Sequence, residues 1–220
     1  MQVLIDGDIV VFRCGFAAEH MMWYLKVGDE THEFRYKKEA LAVLDELVPG
    51  KYSREEGKDY QLWSERQLEP LSHATQNVRT LIQSIQDSTG TTDFDTTVFL
   101  SGTGNFRDEV AKTRPYKYNR DRSHRPTYEH DIRAFIIENW DTIISEGEEA
   151  DDCLAIAQTA DPKGTIIASI DKDLDQVPGL KYNFVDDRTY EVTPEQAHYN
   201  FHIQLMIGDS TDGVPGPPGS

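Results

Sequence analysis

The sequence is poor in cysteine and has no long apolar run. Its two cysteines, Cys14 and Cys153, lie far apart and form no CxxC pair, which argues against a disulfide framework and a cysteine-ligated zinc site. No apolar stretch approaches the roughly 20 residues that a membrane-spanning helix needs. The opening MQVLIDGD reaches a carboxylate too early for a signal peptide. We therefore expect a cytoplasmic protein that does not contact membranes.

Basic residues are also scarce. The chain has 22 Lys and Arg against 39 Asp and Glu, giving a formal net charge of −17. This balance argues against a nucleic-acid partner, because phosphate binding normally shows as an excess of basic residues. Residues 107–125, however, hold seven basic and three acidic residues, a local charge of +4 that leaves −21 for the rest. The pattern indicates a metal site beside a phosphate-binding arm, although a solvated loop on an acidic protein has the same pattern.

Short apolar runs alternate with segments of helical spacing along the 220 residues. This alternation predicts one α/β domain, in which helices cover a mainly parallel sheet. A hairpin is expected at 23–36 around a Gly-Asp turn, and residues 49–66 resemble an exposed insertion. The expected strands are 1–5, 96–100, 142–145, 165–170 and 182–185. The expected helices are 37–48, 69–88, 127–140, 149–160 and 193–208.

Acidic residues follow most of these runs. Ligand sites in open α/β sheets lie beyond the carboxyl ends of the strands, so these side chains are expected to converge. Two residues apart at a strand end, or three apart on a helix, carboxylates can share a face; this includes Asp209 and Asp212 if the last helix persists through them. The acidic groups are Asp6 with Asp8, the EEADD run at 148–152, Asp171 with Asp173, and Asp209 with Asp212.

Carboxylates held close together need cations, because like charges a few Å apart raise their pKa values. Oxygen ligands of this kind suit Mg²⁺ or Mn²⁺ and do not suit zinc. Taken singly, each acidic motif is equally a helix start or a turn. Their joint placement at successive strand ends predicts a metal-dependent phosphotransfer or hydrolysis site.

At this point the sequence resembles the 5′-nuclease family, which includes flap endonucleases, the 5′-nuclease domain of bacterial DNA polymerase I and the 5′-3′ exonucleases of short-tailed bacteriophages. The resembling blocks occur in the family's order and are spread over nearly the whole chain, apart from about residues 20–90. They are LIDGDIVVFR (4–13), FRDEVAKTRPYKYNRDR (106–122), GEEADDCLA (147–155), ASIDKDLDQVPG (168–179) and IGDSTDGVPG (207–216).

The resemblance implies a PIN-like, three-layer fold with a mainly parallel sheet and a site for two Mg²⁺ or Mn²⁺ ions. Asp171 is expected to be the ligand that both ions share. Asp8 is a weaker candidate, and Glu148 and Asp175 are expected to face solvent. The implied metal ligands are Asp6, Glu149, Asp151, Asp152, Asp171, Asp173, Asp209 and Asp212.

The segment PYKYNR resembles the family's arch, in which cationic side chains contact phosphate and an aromatic ring stacks on a base. Lys117 and Arg120 are therefore expected beside the scissile bond, where they join Asp171 as catalytic residues. Tyr116 is the stacking candidate and Arg107 a further phosphate contact. Arg13 is either another nucleic-acid contact or a partly buried structural residue.

Two features depart from the family pattern. The family usually places another metal-associated Asp after the strand at 96–100, where this chain has Ser101. The resemblance also divides the chain into a catalytic domain at 1–206, with its arch near 107–127, and the beginning of a helix-hairpin-helix-type duplex-binding module at 207–220. We expect this module to be truncated; a complete hairpin would add a K⁺ site.

The implied activity is hydrolysis of DNA phosphodiesters from 5′ ends, either as a 5′-3′ exonuclease or as a flap endonuclease. Expected partners are DNA 5′ ends, flaps and junctions, and RNA in RNA-DNA hybrids. We expect a monomer, in the host cytoplasm if a phage encodes it. A PIN-type ribonuclease would use a similar acidic site on RNA, and the missing acid at Ser101 leaves open a nucleic-acid-binding protein without catalysis.

Overall fold

The computed structural model describes residues 1–48, 56–57, 59–112, 115–118, 125–209 and 214–215. The strands within these ranges are β1 Gln2–Asp6, β2 Glu19–Val27, β3 Glu30–Phe34, β4 Tyr60–Leu68, β5 Thr96–Leu100, β6 Asp141–Ile144, β7 Thr165–Ala168, β8 Gly179–Asn183, β9 Arg188–Val192, β10 Gly208–Asp209 and β11 Val214–Pro215. The α-helices are α1 Gly7–Ala17, α2 Lys37–Leu47, α3 Leu71–Thr89, α4 Phe106–Val110, α5 Glu129–Asn139, α6 Ala150–Ala160 and α7 Pro194–Ile207; Asp93–Asp95 and Lys172–Gln176 form short 3₁₀ helices.

The central sheet has the strand order β6-β5-β1-β7-β8-β9. The first five strands in this order run parallel, and β9 pairs antiparallel with β8. The predicted mainly parallel α/β fold is therefore confirmed. Strand β9 was not predicted, because its sequence RTYEV is largely polar.

Side chains that alternate along the parallel strands build a core on each face of this sheet. On one face Val3 and Ile5 pack with apolar residues of α1, α3 and α5. On the other, Leu4 and Phe99 pack with Ala150 and Leu154 of α6. The sheet is thus the middle of three layers, and its interior strands are buried on both sides, as parallel strands require.

Strands β2, β3 and β4 form a separate sheet in the order β3-β2-β4. The predicted hairpin at 23–36 is confirmed by the pairs from Trp23 with Phe34 to Val27 with Glu30. Treating residues 49–66 as an insertion was wrong for residues 60–66, because they belong to β4, which pairs with the whole length of β2. Residues 49–55 and 58 lie outside the described part of the chain.

Helix α7 ends at Ile207, where Gly208 adopts φ 76°, a backbone conformation that glycine adopts easily. Asp209 then lies in β10, which pairs with β11. The helix therefore does not persist through Asp209, which was the condition for Asp209 and Asp212 to share a helical face, and Asp212 lies outside the described residues. None of the helices in the described ranges combines the length and apolarity that crossing a bilayer requires.

Candidate active site

A cavity of about 490 Å³ opens between the start of α6, the segment that follows β7, and β10 with α7. It lies at the carboxyl edge of the parallel strands, the edge at which open α/β sheets bind ligands. Besides acidic groups, residues of the basic segment line its wall, namely Arg107, Tyr116 and Lys117. Six of the predicted ligands line it as well: Glu149, Asp151, Asp152, Asp171, Asp173 and Asp209.

Asp6 lies beneath these groups at the end of β1 and is only 2% exposed. Its carboxylate accepts hydrogen bonds from Ser169 Oγ at 2.7 Å and from the backbone N–H of Ile9 at 3.1 Å. Burial, together with the charges of Asp8 and Asp171, raises the pKa of Asp6 to about 6 despite these donors. A buried carboxyl group of this kind favours a nearby cation.

Asp151, in the first turn of α6, has the most perturbed carboxyl group of the site. Burial is the largest cause, followed by the charges of Asp6, Asp171 and Glu149, and together they raise its pKa to about 8. Burial, with the charges of Asp171 and Asp209, also raises the pKa of Asp173. The charge of Asp171 therefore raises pKa values in both groups of carboxylates, the group around Asp151 and the group around Asp173.

The basic segment contacts the other two acids of α6. Arg107 donates to both carboxylate oxygens of Asp152, at 2.6 and 2.8 Å, which lowers the pKa of Asp152. Lys117 Nζ lies 2.7 Å from Glu149 Oε1, and the Tyr116 hydroxyl donates to Glu149 Oε2 at 2.8 Å. Lys117 makes this contact from a backbone φ of 51°, a left-handed conformation that costs a non-glycine residue roughly 1–2 kcal/mol.

Ser101 and Asp8 build the edge of the site between β5 and α6. Ser101 Oγ accepts the backbone N–H of Ala150, the first residue of α6, at 3.0 Å. Asp8 accepts the N–H of Ser101 at 3.2 Å and pairs with Arg133 Nη1 at 3.0 Å. Arg133 also donates to the Ser101 carbonyl. Sequence reasoning missed Arg133, since one Arg in an amphipathic helix carries no signal of its tertiary partners.

The remaining predicted residues lie elsewhere. Arg13 is exposed on α1 and does not line the cavity. Glu148 and Asp175 do not face solvent as expected; both are half-buried, and they accept hydrogen bonds from Cys153 Sγ and from the Tyr190 hydroxyl. Arg120, like Asp212, lies outside the described residues.

The donor set suits a hard divalent cation in its chemistry. It is all carboxylate oxygen, and a cation would relieve the burial and like-charge repulsion that raise the pKa values of Asp151 and Asp173. Across the described ranges, however, no three His, Cys, Asp or Glu side chains are already grouped to hold an ion. Glu149 and Asp152 contact Lys117 and Arg107 instead. Metal binding would therefore require these side chains to rearrange.

Comparison with known proteins gives a structural likeness only. No protein-family model matches the chain, and no curated protein matches it significantly by sequence. Among solved structures, the bacteriophage T5 D15 protein co-crystallised with metal ions matches the whole chain over 70% of its own length, with a TM-score of 0.60 and 17% identity. A lysine-to-alanine variant of T5 5′-exonuclease matches with a TM-score of 0.58 and 15% identity, over all of this chain and 67% of its own.

T5 5′-exonuclease with bound zinc also matches the whole chain, over 70% of its own length, with a TM-score of 0.55 and 17% identity. At such identities a likeness establishes the architecture of a chain and leaves its chemistry to the site. The chain has the fold of the bacteriophage T5 5′-exonuclease.

Proposed function

We propose that this protein is a divalent-metal-dependent 5′-nuclease that hydrolyses phosphodiesters of DNA at 5′ ends and flaps. The observation that carries the proposal is the cavity in which six carboxylates face Lys117, Arg107 and Tyr116. One side of this cavity suits cations, and the other suits a phosphate and a base. The fold it shares with T5 5′-exonuclease, whose structures hold metal ions and zinc, supports the same assignment.

The carboxylates would hold the metal in two overlapping groups. One group is Asp6, Asp151 and Asp171, with Glu149 and Asp152 beside Asp151. The other is Asp173 and Asp209, and Asp171 would belong to both groups, as the electrostatic coupling of these residues supports. When bound, paired divalent ions supply an activated water and neutralise charge on the departing oxygen. No side chain of the protein then needs to act as nucleophile.

The basic segment would bind the substrate. Lys117 and Arg107 contact Glu149 and Asp152, which are themselves proposed ligands. If these two carboxylates held a metal ion, both basic side chains would be able to contact the scissile phosphate. There they stabilise charge that develops on the phosphate oxygens. Tyr116, which lines the same cavity, offers its ring to a base. Arg120 is proposed as a second phosphate contact of this segment.

Finer features belong to the same proposal. Residues 1–206 would form the catalytic domain, and residues 207–220 would begin a duplex-binding hairpin with a K⁺ site where the hairpin is complete. RNA in RNA-DNA hybrids is a second proposed substrate. Mg²⁺ or Mn²⁺ is the proposed metal, because the donors are carboxylate oxygens.

The test is the variant Asp171→Asn, assayed for Mg²⁺-dependent release of label from a 5′-labelled flap duplex. We expect cleavage to be abolished while the circular dichroism spectrum stays unchanged. Asp87→Asn is the matched control, because Asp87 is exposed near the end of α3 and should leave the rate unaltered. Retained cleavage in Asp171→Asn would contradict the assignment. Single-stranded RNA and an RNA-DNA hybrid, run in parallel, test the PIN-type ribonuclease: faster cleavage of single-stranded RNA than of the flap would favour it.

A further inference from the structure

Gln204 of α7 joins two carboxylates that come from distant parts of the chain. Its Nε2 donates to Asp173 Oδ1 at 3.0 Å and to Asp209 Oδ2 at 2.9 Å. A side-chain amide has two N–H donors, so this geometry uses both of them, one on each acid. The residue also lines the cavity, although neither the acidic motifs nor the basic segment includes it.

A second glutamine determines which way this amide faces. Gln176 Nε2, at the end of the 3₁₀ helix Lys172–Gln176, donates to Gln204 Oε1. If the Gln204 amide were flipped, its oxygen would face two carboxylate oxygens and its NH₂ group would face the NH₂ of Gln176. Both contacts would then pair like with like. The observed orientation is the one in which every polar atom of the Gln204 amide is matched.

Helix α7, which carries this amide, makes a second contact with the 3₁₀ helix. Next to it, Asn200 Nδ2 donates to the backbone carbonyl of Asp175 at 3.0 Å, so the helix is tied to the 3₁₀ helix at two points one turn apart. The 3₁₀ helix carries Asp173, and the chain turns at Gly208 to place Asp209, which is only 8% exposed. Asp173 and Asp209 are thus both bonded to one helix, α7.

We propose that Gln204 is a positioning residue, which holds the carboxylates of Asp173 and Asp209 in one orientation so that their remaining oxygen lone pairs face the cavity and bind a divalent cation. The proposal rests on the metal site of the proposed function, but it concerns only how two of the acids are held. Partners that orient metal ligands typically contribute about 10- to 100-fold to metal affinity. Gln204 is expected to do the same for the ion nearest these two acids.

The experiment measures binding of Mn²⁺ alone to the whole chain by isothermal titration calorimetry, without nucleic acid. Gln204→Leu removes both donors and keeps a side chain of similar size. Gln83→Leu is the matched control, because Gln83 is also a helical glutamine bonded to an aspartate, Asp87, but lies at an exposed position of α3. We expect Gln204→Leu to weaken Mn²⁺ binding by about 10- to 100-fold and Gln83→Leu to leave it unchanged.

Gln176→Leu provides the second test, and it decides the matter if Gln204→Leu does not fold. It keeps the two N–H donors of Gln204 and removes only the side chain that orients them, so we expect a smaller loss of Mn²⁺ affinity than in Gln204→Leu. Cooperative unfolding of the variant shows that it is folded. Unchanged affinity in every folded variant would overturn the proposal. So would the absence of Mn²⁺ binding by the unaltered chain.

Failure of this proposal can be told from failure of the proposed function. If Gln204→Leu loses Mn²⁺ affinity but the unaltered chain cleaves no DNA or RNA substrate, the positioning role stands and the nuclease assignment falls. If the unaltered chain cleaves DNA and Gln204→Leu needs no more Mn²⁺ for half-maximal cleavage, the nuclease assignment stands and the positioning role falls. A merely structural role for Gln204 would lower the unfolding temperature without changing the affinity for Mn²⁺.

Discussion

Asp151 should make the metal-free protein less stable as the pH rises. Burial and the charges of Asp6, Asp171 and Glu149 raise its pKa from 3.8 to about 8 in the folded chain. Below pH 3.8 the carboxyl group is protonated in both the folded and the unfolded states and contributes nothing. Between that value and pH 8 the unfolded chain loses the proton and the folded chain keeps it. The folded state therefore binds more protons in this window, and the free energy of unfolding falls as pH rises.

The magnitude follows from the width of the window. From pH 3.8 to pH 7 the window covers about 3 pH units. At roughly 1.4 kcal/mol per unit, the ionisable group of Asp151 lowers the free energy of unfolding at pH 7 by up to about 4 kcal/mol. Asp151→Asn keeps the shape of the side chain and removes the ionisation. We expect the metal-free variant to be more stable than the unaltered chain by about 1–4 kcal/mol at pH 7. Each kcal/mol corresponds to about 2–4 °C in unfolding temperature for a chain of this size.

The assay is thermal unfolding in excess chelator from pH 4 to pH 8, followed by circular dichroism. The difference between Asp151→Asn and the unaltered chain should be close to zero near pH 4 and grow toward pH 8. Asp87→Asn, at an exposed position, should stay within about 0.5 kcal/mol throughout. A variant that is less stable at pH 7, or a difference that does not depend on pH, would refute the reasoning. Saturating Mg²⁺ should reverse the order, because only the unaltered chain keeps all its ligands.

Two further predictions concern neighbouring residues. Lys117→Met should slow single-turnover cleavage of a 5′ flap by about 100-fold, as loss of one charge-stabilising donor does. Its Mn²⁺ affinity, measured by calorimetry, should stay the same or rise, because the amine of Lys117 no longer occupies the carboxylate of Glu149. Weaker Mn²⁺ binding would contradict this prediction. Ser101→Ala should lower the free energy of unfolding, measured in urea, by about 1 kcal/mol, since the N–H of Ala150 loses its acceptor. An unchanged free energy would contradict this and show that water replaces the hydroxyl.

Much of the fold could be predicted from local pattern. The buried parallel strands are short continuous apolar runs, such as TTVFL at 96–100, and the helices between them have apolar spacing. These signals work because burial on both faces dictates composition along the strand. Strands β4 and β9 gave no such signal. Each is partly exposed, and it is the partner strand, not its own sequence, that makes it a strand.

The candidate site was predicted unevenly for the same reason. Acidic residues at strand ends are visible in sequence because topology places all such ends on one edge of the sheet. The sequence does not reveal which side chains these acids pair with, namely Arg107 with Asp152, Arg133 with Asp8, and Gln204 with two acids. Apart from the contact of Gln204 with Asp209, five positions away, each of these joins residues at least 30 positions apart, and no local spacing encodes such a partner.

The sequence by itself determined which chemistry is available: carboxylates at the ends of buried strands, and a basic segment in an acidic chain. Only the tertiary structure decided how these groups share the site. It buries Asp6 and partly buries Asp151, pairs the cations of the basic segment with Glu149 and Asp152, and gives Asp173 and Asp209 a common amide donor. The physical reason is that burial and charge pairing depend on distances in space, which the fold sets through contacts between residues far apart in the chain.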